Sequence, residues 1–316
     1  MFWSLIRNEW MKVFNRTSTY VMIGLLIVGV LITAIYTFYQ QKDQQLPSEE
    51  EWRSELMQQN EEYLEQEKTT INRYIKSHAI NQQAINEYRL EHNISPYDKE
   101  NVWSYMESNT SLTQMIGVFV ILIGASIVSL EFKQGTAKLL LVRSASRLQI
   151  LFAKFATVIL FGLFLLVILF MSSIIIGGSL FGFDASSTHI SASNGEVFEW
   201  SRTLYVGVDY LSNSITVFML SAFAFMISTM FRSDSIAIAI SIMLLFIGTM
   251  ATNILGLITD WARFSLFANT DLTVYFSGGP MVEDMTFSFS IVMLILYLSL
   301  FLTLAGVFFK KRDVSI

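Results

Sequence analysis

Residues 131–154 read EFKQGTAKLLLVRSASRLQILFAK and lie between two long apolar runs, which cover about 112–130 and 148–181. The stretch carries one acid, Glu131, a leucine cluster at 139–141, and five bases: Lys133, Lys138, Arg143, Arg147 and Lys154. Apolar runs of 18 or more residues with few charges predict helices that cross a membrane. The stretch is therefore interpreted as a basic loop that joins two membrane spans.

The composition of the whole chain indicates the same class of protein. Of its 316 residues, 53% are hydrophobic and 15% are charged, with a mean hydropathy of +0.49, whereas soluble domains carry about 25% charged residues. The absence of cysteine excludes disulfides, thiolate metal sites and cysteine nucleophiles. We predict an all-α polytopic membrane protein whose transmembrane domain covers 19–39 and 112–309, with spans at about 20–39, 112–130, 148–181, 204–231, 236–258 and 287–309.

The distribution of basic residues predicts the orientation. Six spans put both termini on one side, and the segments expected there (1–19, 131–154, 232–235 and 310–316) hold 12 of the 21 Lys and Arg residues. Short loops rich in Lys and Arg remain in the cytoplasm. We therefore expect a multi-pass protein of the plasma membrane with cytoplasmic termini, a cytoplasmic loop at 131–150 and a cytoplasmic tail at 310–316.

Two polar segments flank the first span. Residues 1–18 place Trp3, Ile6 and Trp10 at helical spacing opposite several bases, which predicts an amphipathic helix in the bilayer interface; a plain cytosolic extension is the alternative. Residues 40–111 are acidic, and we predict two or three extracellular helices with breaks at Asn81 and Pro96, against the alternative of a disordered linker. These helices would shape the exit of the cargo or contact a cationic peptide; the alternative is that they are solvated helices without such a role.

The remaining loops contain few candidates for chemistry. Residues 182–203 are interpreted as a polar loop, and 259–285 as a mixed segment before the last span. His78, His92 and His189 all fall in loops without a second histidine at i+3 or i+4, so we interpret them as solvated residues and expect no metal site. No catalytic constellation is apparent, and a transport subunit is expected rather than an enzyme.

The sequence also indicates where the energy for transport would come from. It has no GxxxxGK[ST] phosphate loop, and its span centres hold none of the Asp, Glu, Arg or His residues that ion-coupled carriers place there. A partner ATPase is therefore favoured. Small-residue patches in the spans are interpreted as helix-packing sites or, alternatively, a cargo route. Four residues are candidates for a greasy cargo path: Phe218, Met219, Phe223 and Met226.

At 131–154 the chain resembles the type-2 ABC exporter permeases, the membrane subunits of multidrug, bacitracin and lantibiotic exporters. The family's inner loop typically reads E…GT…LL…P-x-SR…K, and the matching residues are Glu131, Gly135, Thr136, Leu139, Leu140, Ser146, Arg147 and Lys154. Ser144 stands where the family usually has proline. The match covers about 25 residues, and the six-span topology with an N-terminal amphipathic helix agrees with it.

The resemblance implies a mechanism. Two permease subunits, identical or paralogous, would pair around a cargo route, while cytosolic ABC ATPase subunits bind ATP and Mg²⁺; this chain would bind no cofactor itself. The 131–150 loop would be a coupling helix in which Leu139, Leu140 and Leu141 supply the buried contact. Lys138, Arg143 and Arg147 would orient the loop and steer it electrostatically towards an acidic rim of the ATPase groove. Residues 1–18 would be the family's elbow helix, and 259–285 its re-entrant outer gate.

Two alternatives remain at this point. The bases of the loop could serve only as topology determinants attracted to anionic lipid, although lipid attraction does not explain the leucines between them. The chain as a whole could be a sensory or structural subunit that detects an antibiotic or peptide through its acidic outer loop without transporting it. The expected cargo of the exporter is amphipathic: a peptide antibiotic, a drug or a lipid-like molecule. No nucleic-acid partner is expected.

Overall fold

The structure is a computed structural model, and it describes residues 2–43, 46–70, 73–97, 99–133, 145–183, 188–276, 279–280, 282 and 285–311. Within these residues the chain is almost entirely helical. In chain order its elements are α1 (Phe2–Phe14), α2 (Thr17–Asp43), α3 (Glu49–Thr69), α4 (Arg73–His92), α5 (Val102–Asn109), α6 (Thr113–Lys133), α7 (Arg147–Phe181), β1 (Thr188–Ser193), β2 (Glu196–Ser201), α8 (Arg202–Phe231), α9 (Asp234–Ile258), α10 (Leu266–Thr270) and α11 (Phe287–Lys311).

Six of these helical segments are long and apolar enough to cross a membrane, which confirms the prediction of an all-α polytopic membrane protein. They are α2, α5 continued through a short 3-10 turn into α6, and then α7, α8, α9 and α11. Segments 102–131 and 202–231 are the most buried and form the centre of the bundle. The other four expose more of their apolar surface, as expected for helices that face lipid.

The close packing of α6 against α8 depends on small residues. A Cβ added at Gly124 would lie 3.2 Å from the carbonyl oxygen of Ser221, and the Ser228 hydroxyl donates a hydrogen bond to the carbonyl of Ala125. Small residues at a helix interface let two backbones approach closely in the membrane. For the patch around Gly124 and Ala125, the contacts are therefore those of helix packing.

A buried polar network joins three of the spans near the beginning of α6. The Asn109 side chain accepts a hydrogen bond of 2.6 Å from the Thr33 hydroxyl and donates one of 3.0 Å to Ser173 Oγ. The Tyr105 hydroxyl donates to the carbonyl of Val30 over 2.6 Å. Buried polar groups need such partners, because an unsatisfied one costs about 1–3 kcal/mol.

The insertion after the first span forms a helical hairpin, α3 with α4. A capping box begins α3, in which Ser48 accepts a hydrogen bond from the backbone of Glu51 and the Glu51 side chain accepts one from the backbone of Ser48. The helical prediction is correct here, but the break expected at Asn81 is wrong, since Asn81 is buried inside α4.

The interpretation of 182–203 as a loop is also wrong, because β1 and β2 form an antiparallel hairpin. Its turn is the dipeptide Asn194-Gly195, in which both residues have positive φ angles of 53° and 81°, as the two-residue hairpin turn requires. The hairpin packs on α4, where Ile85 meets Ile190 and Ala192 in a small apolar cluster. The hairpin and the helices α3 and α4 thus form one unit beside the bundle.

The segment between the fifth and sixth spans contains three short helical pieces, which are Asp260–Phe264, α10 and Thr273–Tyr275. The buried Asn269 side chain donates hydrogen bonds to the carbonyls of Arg263 and Ser265 and accepts one from Ser290 Oγ of α11. These contacts fix the segment, which was predicted as a gate, to the start of the last span.

Candidate functional site at the loop between the second and third spans

Four charged side chains meet where α1, α6 and α7 converge, and we call them the inner charge cluster: Glu9, Lys12, Glu131 and Lys154. The ammonium of Lys154 donates hydrogen bonds of 2.7 Å to Glu9 Oε2 and 2.6 Å to Glu131 Oε1. Lys12 donates to the same two carboxylates, over 2.7 Å and 3.0 Å. With two positive and two negative groups, the cluster is electrically balanced.

The cluster is buried to different depths. The side chain of Lys154 is fully buried and also donates to the carbonyl of Ile127 over 3.2 Å, whereas the side chain of Lys12 is 44% exposed. Burial alone would raise the pKa of Glu9, but Lys154 and Lys12 together lower it below its usual value. For Lys12, burial acts to lower the pKa, and the two carboxylates raise it overall. Each charge therefore depends on its partners to remain in the site.

The position of α1 follows from its apolar face. Ile6 and Val13 are buried. The ring of Trp10 lies tilted against that of Phe14, with centroids 4.7 Å apart, and meets the ring of Phe164 of α7 edge to face, with centroids 5.8 Å apart. Helix α1, predicted as an amphipathic elbow, therefore packs on the bundle with one face. Trp3 points away, with 77% of its surface exposed.

Both ends of the 131–150 loop are fixed to other helices. On one side Glu131 joins the charge cluster. On the other, Ser146 caps α7 in a reciprocal pair of hydrogen bonds with Gln149, and Arg147 donates a hydrogen bond of 3.3 Å to the carbonyl of Lys310 at the end of α11. Most of the residues predicted to contact an ATPase lie outside the described residues: Gly135, Thr136, Lys138, Leu139, Leu140, Leu141 and Arg143.

The amino-acid sequence of the chain matches known proteins over most of its length. Residues 71–315 match the family model DUF2705, a protein of unknown function. The chain belongs to the DUF2705 family. It is 41% identical over 315 residues to the Bacillus subtilis (strain 168) uncharacterized protein YhcI, with 99% of each chain covered. It is 31% identical over 227 residues to the uncharacterized membrane protein YdbK of the same strain. That alignment covers 71% of this chain and 87% of YdbK.

The four candidate cargo-path residues of this DUF2705 protein all lie on α8 inside the helix bundle. Met219 and Met226 are buried in the main apolar core. The ring of Phe218 rests on Gly162 of α7, where a Cβ would lie 2.8 Å away. Phe223 meets Phe301 of α11 edge to face, with ring centroids 5.5 Å apart. Their contacts in the single chain are with neighbouring helices.

Sequence reasoning missed the role of Glu9 and the burial of Lys154. Glu9 stands among the polar residues of an amphipathic helix, and Lys154 was interpreted as a base of the loop and as the last residue of the exporter-like motif. One signal could have found the pair, since Lys154 follows seven residues of a strongly apolar helix that begins at Arg147, and a buried base needs an acid. Within the described residues, no group of three His, Asp or Glu side chains could hold a metal ion.

Proposed function

We propose that this DUF2705 protein is the membrane permease subunit of an ABC exporter, which moves an amphipathic substrate across the plasma membrane with energy from a separate ATPase chain. The observation that carries the proposal is the double anchoring of the 131–150 loop. The loop contains the residues that resemble the inner loop of the type-2 ABC exporter permeases. Its two ends are joined to α1, α7 and α11 through Glu131 and Arg147.

The anchoring supports the proposal on mechanical grounds. An ATPase that moves a docked loop must transmit that motion to helices. The hydrogen bonds that Glu131 accepts from Lys154 at 2.6 Å and from Lys12 at 3.0 Å are of the short, charge-assisted kind that fixes geometry. The contact of Arg147 with Lys310 is longer, at 3.3 Å, and exposed. In this chain a displacement of the loop would reach α1, α6, α7 and α11 together. A loop whose Lys and Arg residues served only to attract lipid would need no buried ion pairs where it joins the helices.

The orientation proposed with this function has both termini and the 131–150 loop in the cytoplasm, with the α3–α4 unit outside. This orientation is supported by the excess of Lys and Arg in the short segments on the same side of the membrane as the two termini. In this orientation the loop meets a cytosolic ATPase. The complex would contain two permease chains, identical or paralogous, and ATP and Mg²⁺ would be bound by the ATPase.

The proposal is tested by affinity purification of the tagged chain from its native membrane, with mass spectrometry of its partners. An ATPase with Walker motifs is the expected partner. Leu140→Glu and Arg143→Glu should each reduce its recovery at least tenfold, because one buries a charge in an apolar contact and the other reverses a steering charge. Leu64→Glu and Lys68→Glu, on helix α3 of the distant helical hairpin, are matched controls that should leave recovery unchanged.

Undiminished ATPase recovery with both loop variants would overturn the coupling role of the loop. Recovery of a sensor kinase in place of any ATPase would favour the sensory alternative. Membrane insertion of every variant is checked by its extraction from washed membranes, so that a lost protein is not mistaken for a lost contact.

A further inference from the structure

A cavity of about 360 Å³ lies beside the end of the bundle at which α8 begins. Its walls come from four separate parts of the chain, which are α4, the β-hairpin, the first turns of α8 and the segment around 274–279. Small-molecule sites are concave, largely preformed and about 300 Å³ or larger. The cavity is therefore large enough to hold a small ligand.

Regular backbone positions most of the cavity lining. On α4 the lining residues recur at helical spacing and form a stripe along one side of the helix: His78, Asn81, Gln82, Ile85 and Arg89. On β1, His189 and Ser191 lie two residues apart and therefore share one face of the strand. The opposite face packs on α4 through Ile190 and Ala192. The side chains of the cavity are thus fixed by a helix and a strand that pack on each other.

Two contacts hold the other walls against α4. The Asn81 side-chain oxygen accepts a hydrogen bond of 2.9 Å from the backbone N–H of Gly195 in the hairpin turn. The backbone of Gly279 lies so close to the Ser77 side chain that a Cβ would not fit. The hairpin and the segment before α11 are therefore both fixed against α4, and the cavity exists without a ligand.

One buried group at the cavity wall lacks a partner. Ser191 is 2% exposed, and its hydroxyl has no hydrogen-bond partner among the described residues. Burying an unsatisfied hydroxyl costs about 1–3 kcal/mol, so each such group in a folded chain requires a physical explanation. A ligand in the cavity that offers a hydroxyl or another polar atom would complete the missing hydrogen bond.

The lining indicates an uncharged ligand. Among the twelve lining residues that the structure describes, six carry an amide, a hydroxyl or an imidazole, four are aliphatic and none is acidic. Arg89 already interacts with other groups of the chain, so its guanidinium gives no reason to expect an anion. Burial, followed by Arg202 and Arg89, lowers the pKa of His189 to about 4. At pH 7 its imidazole is therefore neutral, with one nitrogen that donates and one that accepts.

The balance of polar and apolar groups narrows the class of ligand further. Sites for drug-like molecules are lined mostly by apolar side chains with a few polar groups. In this cavity the hydrogen-bonding side chains outnumber the aliphatic ones by six to four. Such a lining matches a ligand that carries many hydroxyl groups around its edge and C–H groups on its faces.

We propose that this cavity binds an uncharged sugar unit, either a hexose or an N-acetylated amino sugar. Its hydroxyl groups would bond Gln82, His189 and Ser191, because a hydroxyl both donates and accepts. Its C–H face would rest on Ile85 and Val274. The site does not depend on the transport function proposed above.

The proposal is tested by isothermal titration calorimetry on the purified full chain, in a detergent without a sugar headgroup. The uncharged probes are glucose, galactose, mannose and N-acetylglucosamine, and the charged probes are glucosamine and glucuronate. At least one uncharged sugar should bind about tenfold more tightly than both charged ones, because a charge would be buried against the wall without a partner. N-acetyl-leucine amide is an uncharged probe without a sugar ring and should bind more weakly than that sugar.

Variants separate a ligand-binding role of Ser191 from a structural one. Ser191→Ala should weaken binding of the sugar severalfold, because it removes one hydrogen bond to the ligand. Without the sugar this variant should melt no lower than the wild type, since it also removes an unsatisfied buried hydroxyl. Gln82→Leu, which keeps the side chain close to its original size, should weaken binding severalfold as well. Ser54→Ala, at an exposed position of α3, should change neither the affinity nor the melting temperature.

Three results would overturn the proposal. They are the absence of binding by all four uncharged sugars, equal or tighter binding of glucuronate or glucosamine, and tighter binding of N-acetyl-leucine amide than of any sugar. Wild-type affinity in both Ser191→Ala and Gln82→Leu would remove the assigned site even if a sugar binds. If either variant melts below the wild type, the comparison of uncharged with charged sugars on the wild-type chain decides instead.

Discussion

The ammonium of Lys154 and the carboxylate of Glu131 lie 2.6 Å apart, where α7 and α6 approach each other on either side of residues 134–144. The pair joins the two spans that the loop connects, and Glu9 adds α1 to the same contact at 2.7 Å. Two charges removed from water are stable only while both are present. The relationship therefore makes the base of the loop sensitive to the loss of any one buried partner.

Lys154→Met should destabilise the protein strongly. It leaves the carboxylates of Glu9 and Glu131 with Lys12, which is half exposed, so a loss of about 3–5 kcal/mol in the free energy of unfolding is expected. This free energy of unfolding is measured by denaturant titration in detergent micelles. Lys12→Met is the matched control and should cost less, because its charge is partly hydrated. An equal loss from the two variants would show that burial of Lys154 does not set the energy.

A second substitution distinguishes an unpaired charge from lost packing. Glu131→Gln placed on top of Lys154→Met removes one of the carboxylates that the first change leaves uncompensated. The double variant should therefore be more stable than Lys154→Met alone, which is a non-additive result. If the two losses simply add, the side chains do not interact energetically, and the ion pair has no role in joining α6 to α7.

Glu9→Gln should change the response of the protein to acid. Burial raises the pKa of Glu9, but its lysine partners lower it below 4.5 overall. A lowered carboxylate pKa stabilises the fold above about pH 4.5, and this stabilisation is lost as the pH falls through the folded-state value. The wild type should therefore lose melting temperature below pH 4.5 more steeply than Glu9→Gln. Glu50→Gln, at an exposed site on α3, should follow the wild type.

The six spans could be predicted from the sequence because an apolar run of about 20 residues with few charges is itself the signal of a spanning helix. The inner charge cluster could not, because its members lie as far apart as Glu9 and Lys154 and meet only after α1 docks on α7. The β-hairpin was predictable. Asn194-Gly195 between two alternating segments is a strong turn signal, and its meaning was missed because the segment was interpreted by polarity alone.

Gly162→Ala tests whether Phe218 is fixed by packing. The new Cβ would lie 2.8 Å from the Phe218 ring, and overpacking of this kind costs about 1–3 kcal/mol. Phe218→Leu in the same chain should restore most of the stability by making room. Gly24→Ala is the control, since a Cβ there meets nothing within 4 Å. Unchanged melting of Gly162→Ala would mean that the Phe218 ring moves freely, as a residue lining a cargo path would.

His189→Gln should remove a stability change between about pH 6.5 and pH 4. The folded-state pKa of His189 is lowered to about 4 from 6.5 by burial, Arg202 and Arg89, and Glu107 Oε1 lies 3.8 Å from its Nδ1. In that window the unfolded chain binds a proton that the folded chain does not, so stability falls as the pH falls. At 1.36 kcal/mol per unit of pKa difference, the effect is at most about 3 kcal/mol.

Melting temperatures measured from pH 4 to pH 7 should therefore fall less steeply in His189→Gln than in the wild type. His92→Gln, at an exposed ring stacked on Tyr88, should keep the wild-type slope, and a wild-type slope in His189→Gln would contradict the burial of a neutral imidazole.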